Sequence, residues 1–139
     1  MIRCQPSVLA RVLVADDDPA VLRAMAASLA RGGFEVTTAN DGAPAIALAE
    51  TAVFDIVLVD LHMRTGGIAV VRHYKQRYGA GVYCAVLSGE DSETTRADCL
   101  AGGADEVFVK PALASMLRRR LAEAALALRA AVVAHEHSA

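Results

Sequence analysis

Short runs of aliphatic and β-branched residues recur along the chain, each followed by a longer stretch in which apolar residues return every three or four positions. The short runs read as buried strands and the longer stretches as amphipathic helices. Arg11 to Ala15 is the first strand, and a helix follows from about Pro19 to Arg31 with Leu22, Met25, Ala26 and Leu29 on one face. Gly32-Gly33 ends it. A second strand, Phe34 to Ala39, passes through the turn Asn40-Asp41-Gly42 into a short helix that Pro44 opens and that reaches about Thr51. The third strand, Ile56 to Val59, ends on Asp60, and a glycine-containing loop leads to a helix from about Ile68 to Tyr78. Next come a strand from Val82 to Leu87, a helix from about Ser92 to Ala101 stopped by Gly102-Gly103, and a strand from Glu106 to Val109. After Lys110-Pro111 a last helix runs from about Ala112 to Val133. Strict strand–helix alternation predicts a parallel sheet wrapped by helices on both faces.

In such sheets ligands bind beyond the carboxyl ends of the strands, where the strand order reverses. The first strand ends in Asp16-Asp17-Asp18, the third in Asp60, the fourth in Ser88 and the fifth in Lys110. Carboxylates gathered at one rim repel one another, since two like charges about 4 Å apart cost on the order of 4 kcal/mol at an effective dielectric near 20. A cation relieves that cost. Mg²⁺ suits it best, because it takes hard oxygen ligands and commonly uses one or two carboxylates together with water and phosphate oxygens. Lys110 brings a second positive charge, and Lys75 is the only other lysine in the sequence. Asp18 before Pro19 fits a helix N-cap instead, and the lesser alternative for Ser88 is a bond to the backbone of the loop that follows it.

Length and composition narrow the choice further. The 139 residues hold one domain of ordinary size, and 55 % hydrophobic with 22 % charged residues allow a full core. A net charge of -2 and a pI near 6.0 offer no basic surface, so direct nucleic acid binding is not expected. Cys4, Cys84 and Cys99 are scattered and read as reduced, packed residues. No apolar run reaches the length of a signal peptide or a membrane span, which points to a cytoplasmic protein with no membrane contact. The side chains of His62, His73, His135 and His137 are expected at the surface.

Four segments carry a family resemblance: Val14-Ala15-Asp16-Asp17-Asp18-Pro19, Val57-Leu58-Val59-Asp60, Val86-Leu87-Ser88-Gly89, and Gly103-Ala104-Asp105 running to Val109-Lys110-Pro111. In this order, each at a strand end, they resemble the receiver domains of bacterial two-component response regulators across about residues 11–125. The resemblance implies a flavodoxin-like (βα)₅ doubly wound sheet in strand order 2-1-3-4-5. Residues 1–10 would be a lead-in, and residues 126–139 an extension of the last helix with a short tail. It implies Asp60 as phosphoryl acceptor, Asp17 as a direct Mg²⁺ ligand, Asp16 as a ligand through water, and the backbone carbonyl of His62 as a further ligand beside Asp60 itself. Ser88 and Lys110 would bind phosphoryl oxygens, and the bond before Pro111 would be cis. The implied donor is a phosphohistidine on a sensor histidine kinase or phosphotransfer protein, and the implied output is a changed surface offered to a downstream protein target. Such a protein is not an enzyme beyond its own phosphorylation and dephosphorylation.

Two positions depart from that pattern. Arg64 stands where the family usually has proline, in a loop one residue short, and Val107 stands where the family has its switch aromatic. Phe108 is no substitute, since neighbouring strand residues face opposite ways. The competing reading within the fold is a pseudo-receiver, an interaction module that works without phosphorylation. An aspartate-based phosphatase would carry a second carboxylate two residues after the nucleophile, where this chain has His62, and a mononucleotide binder would need a glycine-rich phosphate loop where this chain has three aspartates. In the last helix Leu117, Leu121, Ala124, Leu128 and Ala131 form a heptad-like seam. It serves either core packing alone or a partner as well, giving a monomer or a weak homodimer.

Overall fold

The computed structural model describes residues 8–138, the last four by their backbone only. The alternating pattern produces β1 (Arg11–Ala15), α1 (Pro19–Arg31), β2 (Glu35–Ala39), α2 (Gly42–Ala47), β3 (Ile56–Asp60), α3 (Gly67–Tyr78), β4 (Tyr83–Ser88), α4 (Glu93–Ala101), β5 (Glu106–Val109) and α5 (Ala114–Ser138), with 3₁₀ turns at Leu48–Glu50 and Gly79–Gly81. All the strands are parallel and lie in the order β2-β1-β3-β4-β5, as the resemblance implied.

Residue parity along the strands divides the core in two. Leu13, Val57, Val59, Cys84, Val86 and Val107 point to the face covered by α2, α3 and α4, where they meet Ala45, Val70, Tyr74 and Cys99. Val12, Val14, Ile56, Leu58, Leu87 and Phe108 point to the other face and meet Leu22 and Leu29 of α1 and Leu117 and Leu121 of α5. Central strands buried on both faces need apolar residues at every position, which is why β3 reads as an unbroken run. Val107 and Phe108 do fall on opposite faces. Cys84 and Cys99 are buried free thiols, and burial pushes the Cys84 thiol up to about 12.

Helix boundaries follow local chemistry where it is present. The Asp18 carboxylate accepts from the amides of Ala20 and Val21, at 3.0 and 3.3 Å, and starts α1 at Pro19. Gly33 and Gly103, both at positive φ, close the turns after α1 and α4. The short second helix begins at Gly42 rather than Pro44 and tightens into 3₁₀ geometry after Ala47. The last helix begins two residues later and ends five residues later than its sequence pattern indicates. The seam is both core and overhang: Leu117, Leu121 and Ala124 are buried, Leu128 is half-buried and Ala131 is exposed. Beyond the sheet, Leu126, Val132 and Val133 are 59 %, 58 % and 49 % exposed. Between this overhang and the chain entering β1 lies an open groove of about 830 Å³, lined by Leu9, Ala10, Leu128 and Val132 among others. Arg129 donates to the carbonyls of Val8 and Leu9 and ties the two together.

His73 departs from expectation. It is half-buried, packed edge-on against Tyr74, and its Nε2 is enclosed without a hydrogen-bond partner. The α3 face that buries Val70 and Tyr74 is wide enough to take in their neighbour. Cys4 and the side chains of His135 and His137 lie outside the described residues.

The two halves of α5 should respond differently to truncation. Leu121→Ala, at a fully buried site, should cost about 2–5 kcal/mol in urea unfolding, whereas Leu126→Ala should cost under about 0.5 kcal/mol. Equal losses would contradict the division of the helix into core and overhang.

Candidate functional site

Parallel register delivers the site residues to one rim. Ala15 of β1 pairs with Val59 of β3, so the residues that follow, Asp16 and Asp60, emerge side by side. Leu87 pairs with Asp60 and Ser88 with Val109, which places Ser88 and Lys110 on the same edge. One carboxylate oxygen from each of Asp16, Asp17 and Asp60 lies within 4.8 Å of the others. Asp16 and Asp60 are buried and Asp17 is exposed.

Charge is only partly balanced there. Lys110 Nζ donates to Asp60 Oδ1 at 2.8 Å. Burial opposes the ammonium charge, but the hydrogen bond to Asp60 and the fields of Asp60, Asp16 and Asp17 outweigh it and hold the Lys110 pKa above the ordinary lysine value. Asp16 Oδ1 accepts from the Asp18 amide at 2.9 Å, while its Oδ2 is buried with no partner. Loss of water around Asp16 is the largest influence on it, and with the repulsion of Asp60 and Asp17 it raises the carboxyl above its ordinary value despite the Asp18 amide. An orphaned buried carboxylate oxygen beside two further carboxylates is what a hard divalent cation would satisfy, so the donor set fits Mg²⁺. The ligands would be Asp16, Asp17 and Asp60.

The other expected residues stand around this centre. Ser88 is fully buried, and its Oγ accepts from the Glu90 amide at 3.0 Å and donates to the Glu90 carbonyl at 3.2 Å. In this conformation Ser88 therefore serves the loop. His62 lies two residues beyond Asp60 with an exposed side chain, and its carbonyl accepts no hydrogen bond among the described residues. The Lys110–Pro111 peptide is cis. Gly67 allows the loop after β3 to fold back over Asp60, because a Cβ there would sit 2.5 Å from the Asp60 carbonyl oxygen. The sequence reading missed a contact across the rim, His62 Nε2 to Glu90 Oε1 at 3.3 Å. It also missed the role of Asp41, whose carboxylate accepts from the Thr65 amide at 3.0 Å. Asp41 follows the end of β2, so the strand-end rule that picked out the other acids was the available signal.

A family model described as the response regulator receiver domain matches residues 12–122. The chain belongs to that family. Among its relatives, the transcriptional regulatory protein PrrA of Mycobacterium leprae is 39 % identical over 111 residues, which are 78 % of this chain and 47 % of PrrA. This receiver thus spans about half the length of the relatives it matches. Of solved structures, the chemotaxis response regulator CheY4 of Vibrio cholerae shares 29 % identity with a TM-score of 0.76, covering 83 % of this chain and 98 % of its own. A response regulator of Burkholderia pseudomallei, described with a phosphorylated aspartic acid, calcium ion and citrate, shares 26 % identity with a TM-score of 0.74, covering 90 % and 74 %. Receiver domains generally bind Mg²⁺ at an acidic pocket, interact with sensor kinases or phosphotransfer proteins, and are not enzymes in the usual sense. No helix among the described residues of this receiver is long and apolar enough to cross a membrane.

The desolvated Asp16 charge should be visible in metal-free stability. A native carboxyl raised above its unfolded value costs stability as pH rises from the unfolded pKa through the native one. Asp16→Asn removes that slope and should raise the metal-free melting temperature at neutral pH by about 2–5 °C. Saturating Mg²⁺ should stabilise the wild type more than the variant. A melting temperature lowered by Asp16→Asn without metal would contradict the reading of this pocket.

Proposed function

We propose that this receiver accepts a phosphoryl group on Asp60 from a phosphohistidine of a sensor histidine kinase or phosphotransfer protein, in the cytoplasm, and thereby changes the surface it offers to a downstream protein. The observation that carries this reading is the buried Asp60 held through one oxygen by Lys110 at 2.8 Å, with Asp16 and Asp17 at its side. The phosphorylated aspartic acid and calcium ion of the Burkholderia relative support it.

Each residue then has a definite task. Lys110 fixes Asp60 Oδ1 and leaves Oδ2 free of protein hydrogen bonds among the described residues, available as the nucleophile. In the transfer Asp60 Oδ2 forms a bond to phosphorus, the phosphorus–nitrogen bond of the donor breaks, and the imidazole nitrogen keeps the electron pair. Lys110 stays beside the incoming oxygens and offsets their charge. Mg²⁺, held by Asp16, Asp17, Asp60 and the His62 carbonyl, would supply the remaining charge neutralisation. Ser88 would exchange its bonds to Glu90 for one to a phosphoryl oxygen, which frees the loop after β4. With the aliphatic Val107 buried on the face covered by α2, α3 and α4, output would pass through that loop rather than through an aromatic rotamer at that position of β5. The compact domain, residues 11–125, carries this chemistry with no direct nucleic acid contact, and the α5 overhang beyond it is a surface for weak self-association.

Two experiments test these statements. Treated with acetyl phosphate and Mg²⁺, the wild type should gain one hydroxylamine-sensitive phosphoryl group. EDTA should abolish the gain, and Asp60→Asn should remain folded but unlabelled. Label on another residue would refute the assignment of Asp60, and absence of labelling by any donor together with absence of Mg²⁺ binding would favour the pseudo-receiver reading instead. Separately, removing residues 126–139 should abolish any concentration dependence of the sedimentation coefficient. A monomer at every concentration, with or without those residues, would leave α5 a core helix only.

A further inference from the structure

We infer that Asp41 is a positioning residue for the phosphoryl site: its carboxylate anchors the loop after β3, the loop that carries His62. The inference rests on the proposed role of the Asp16–Asp17–Asp60 cluster.

Asp41 occupies the N-cap of α2, yet its side chain makes no capping bond to that helix. Its Oδ1 instead accepts from the Thr65 amide, 24 residues away, at 3.0 Å. That bond, with help from the Gly42 amide, lowers the carboxyl below its ordinary value, so it is ionised at neutral pH. The loop itself has little else to hold it. At its start the Leu61 amide donates to the Leu87 carbonyl at 2.9 Å, and at its end the Gly67 amide donates to the Leu61 carbonyl at 3.1 Å. Of the backbone amides from 62 to 66, only that of Thr65 has a hydrogen-bond partner among the described residues. Besides Asp41, the segment from His62 to Gly66 is joined to the rest of the fold by its ends, by the buried Met63 side chain, by the exposed His62–Glu90 contact and by the packing of Thr65 on Gly42.

Gly42 adds contact to the anchor. A Cβ at Gly42 would lie 2.4 Å from the Thr65 carbonyl oxygen and 2.7 Å from its Cβ, so the loop backbone rests directly on this glycine. Asp41 and Gly42 therefore form a seat into which the loop presses, one supplying an acceptor and the other the space. Groups that orient a metal ligand without touching the metal commonly change its affinity by about 10- to 100-fold. Asp41 belongs to that class through a backbone ligand rather than a side chain.

The test compares Asp41→Ala, Asp41→Asn and Gly42→Ala with wild type and with Asp17→Ala, in the full chain. Mg²⁺ dissociation constants come from calorimetry, and amide exchange at Thr65 from NMR. Asp41→Ala should weaken Mg²⁺ about tenfold and speed Thr65 exchange, with little change in metal-free melting temperature. Asp41→Asn keeps an oxygen acceptor of the same shape and should stay within about twofold of wild type. Gly42→Ala leaves the carboxylate intact, displaces the loop, and should weaken Mg²⁺ as Asp41→Ala does, which keeps the test open should Asp41→Ala fail to fold. Wild-type Mg²⁺ affinity in Asp41→Ala or in Gly42→Ala would overturn the inference alone, provided that wild type binds and Asp17→Ala does not. A wild type that binds no Mg²⁺ would overturn the inference and the reading of the cluster together.

Discussion

Mutual repulsion among Asp16, Asp17 and Asp60 is the constraint on which the rest of this structure depends. At the 4.8 Å limit of their separation each pair costs about 3.5 kcal/mol at an effective dielectric near 20, and two of the three carboxylates are buried. No fold keeps such a group for stability. Lys110 offsets one charge through Asp60, but Asp16 keeps an oxygen with no partner. The negative charge left over would suit the rim to a cation, and under the proposed function that cation would let an anionic nucleophile meet an anionic phosphoryl group.

The doubly wound sheet exists, in this light, to hold that unfavourable group together. The order β2-β1-β3 puts the ends of β1 and β3 side by side, and the runs of Val, Leu and Ile behind them bury both sheet faces. Apolar packing is therefore concentrated in the strands that carry the acids. The conformational reserve lies in the loops above, where Ser88 is bonded to Glu90 and His62 meets Glu90. A phosphoryl group competing for Ser88 would act on these loop contacts and leave the sheet unchanged. Val107, small and packed toward α4, gives no lever of the aromatic kind on β5.

Much of this was legible in the sequence because the signals were local. Asp18-Pro19 and Gly32-Gly33 bracket α1, and the helix occupies the predicted residues. Strand order and the family followed from motifs at strand ends, and the register brings those motifs together. Elsewhere the local signals are missing. Residues 124–134 are nearly all Ala, Leu and Val with no breaker, so the end of α5 could not be placed and the helix runs on past Val133. His73 looked like a surface residue because polarity alone does not reveal how wide a buried helix face is. The Asp41 contact with Thr65 bridges 24 residues: its place after β2 marks Asp41 as a rim residue, but nothing in Asn40-Asp41-Gly42 names its partner.

The most direct test of the account is a crystal structure of the chain grown with Mg²⁺ and beryllofluoride, a stable mimic of the phosphoryl group. The account predicts a tetrahedral adduct on Asp60, an ion bound by Asp17, Asp60 and the His62 carbonyl, Lys110 on a fluorine, and Ser88 turned from Glu90 toward the adduct. An unmodified Asp60 still paired with Lys110, or an ion bound away from Asp16 and Asp17, would contradict it.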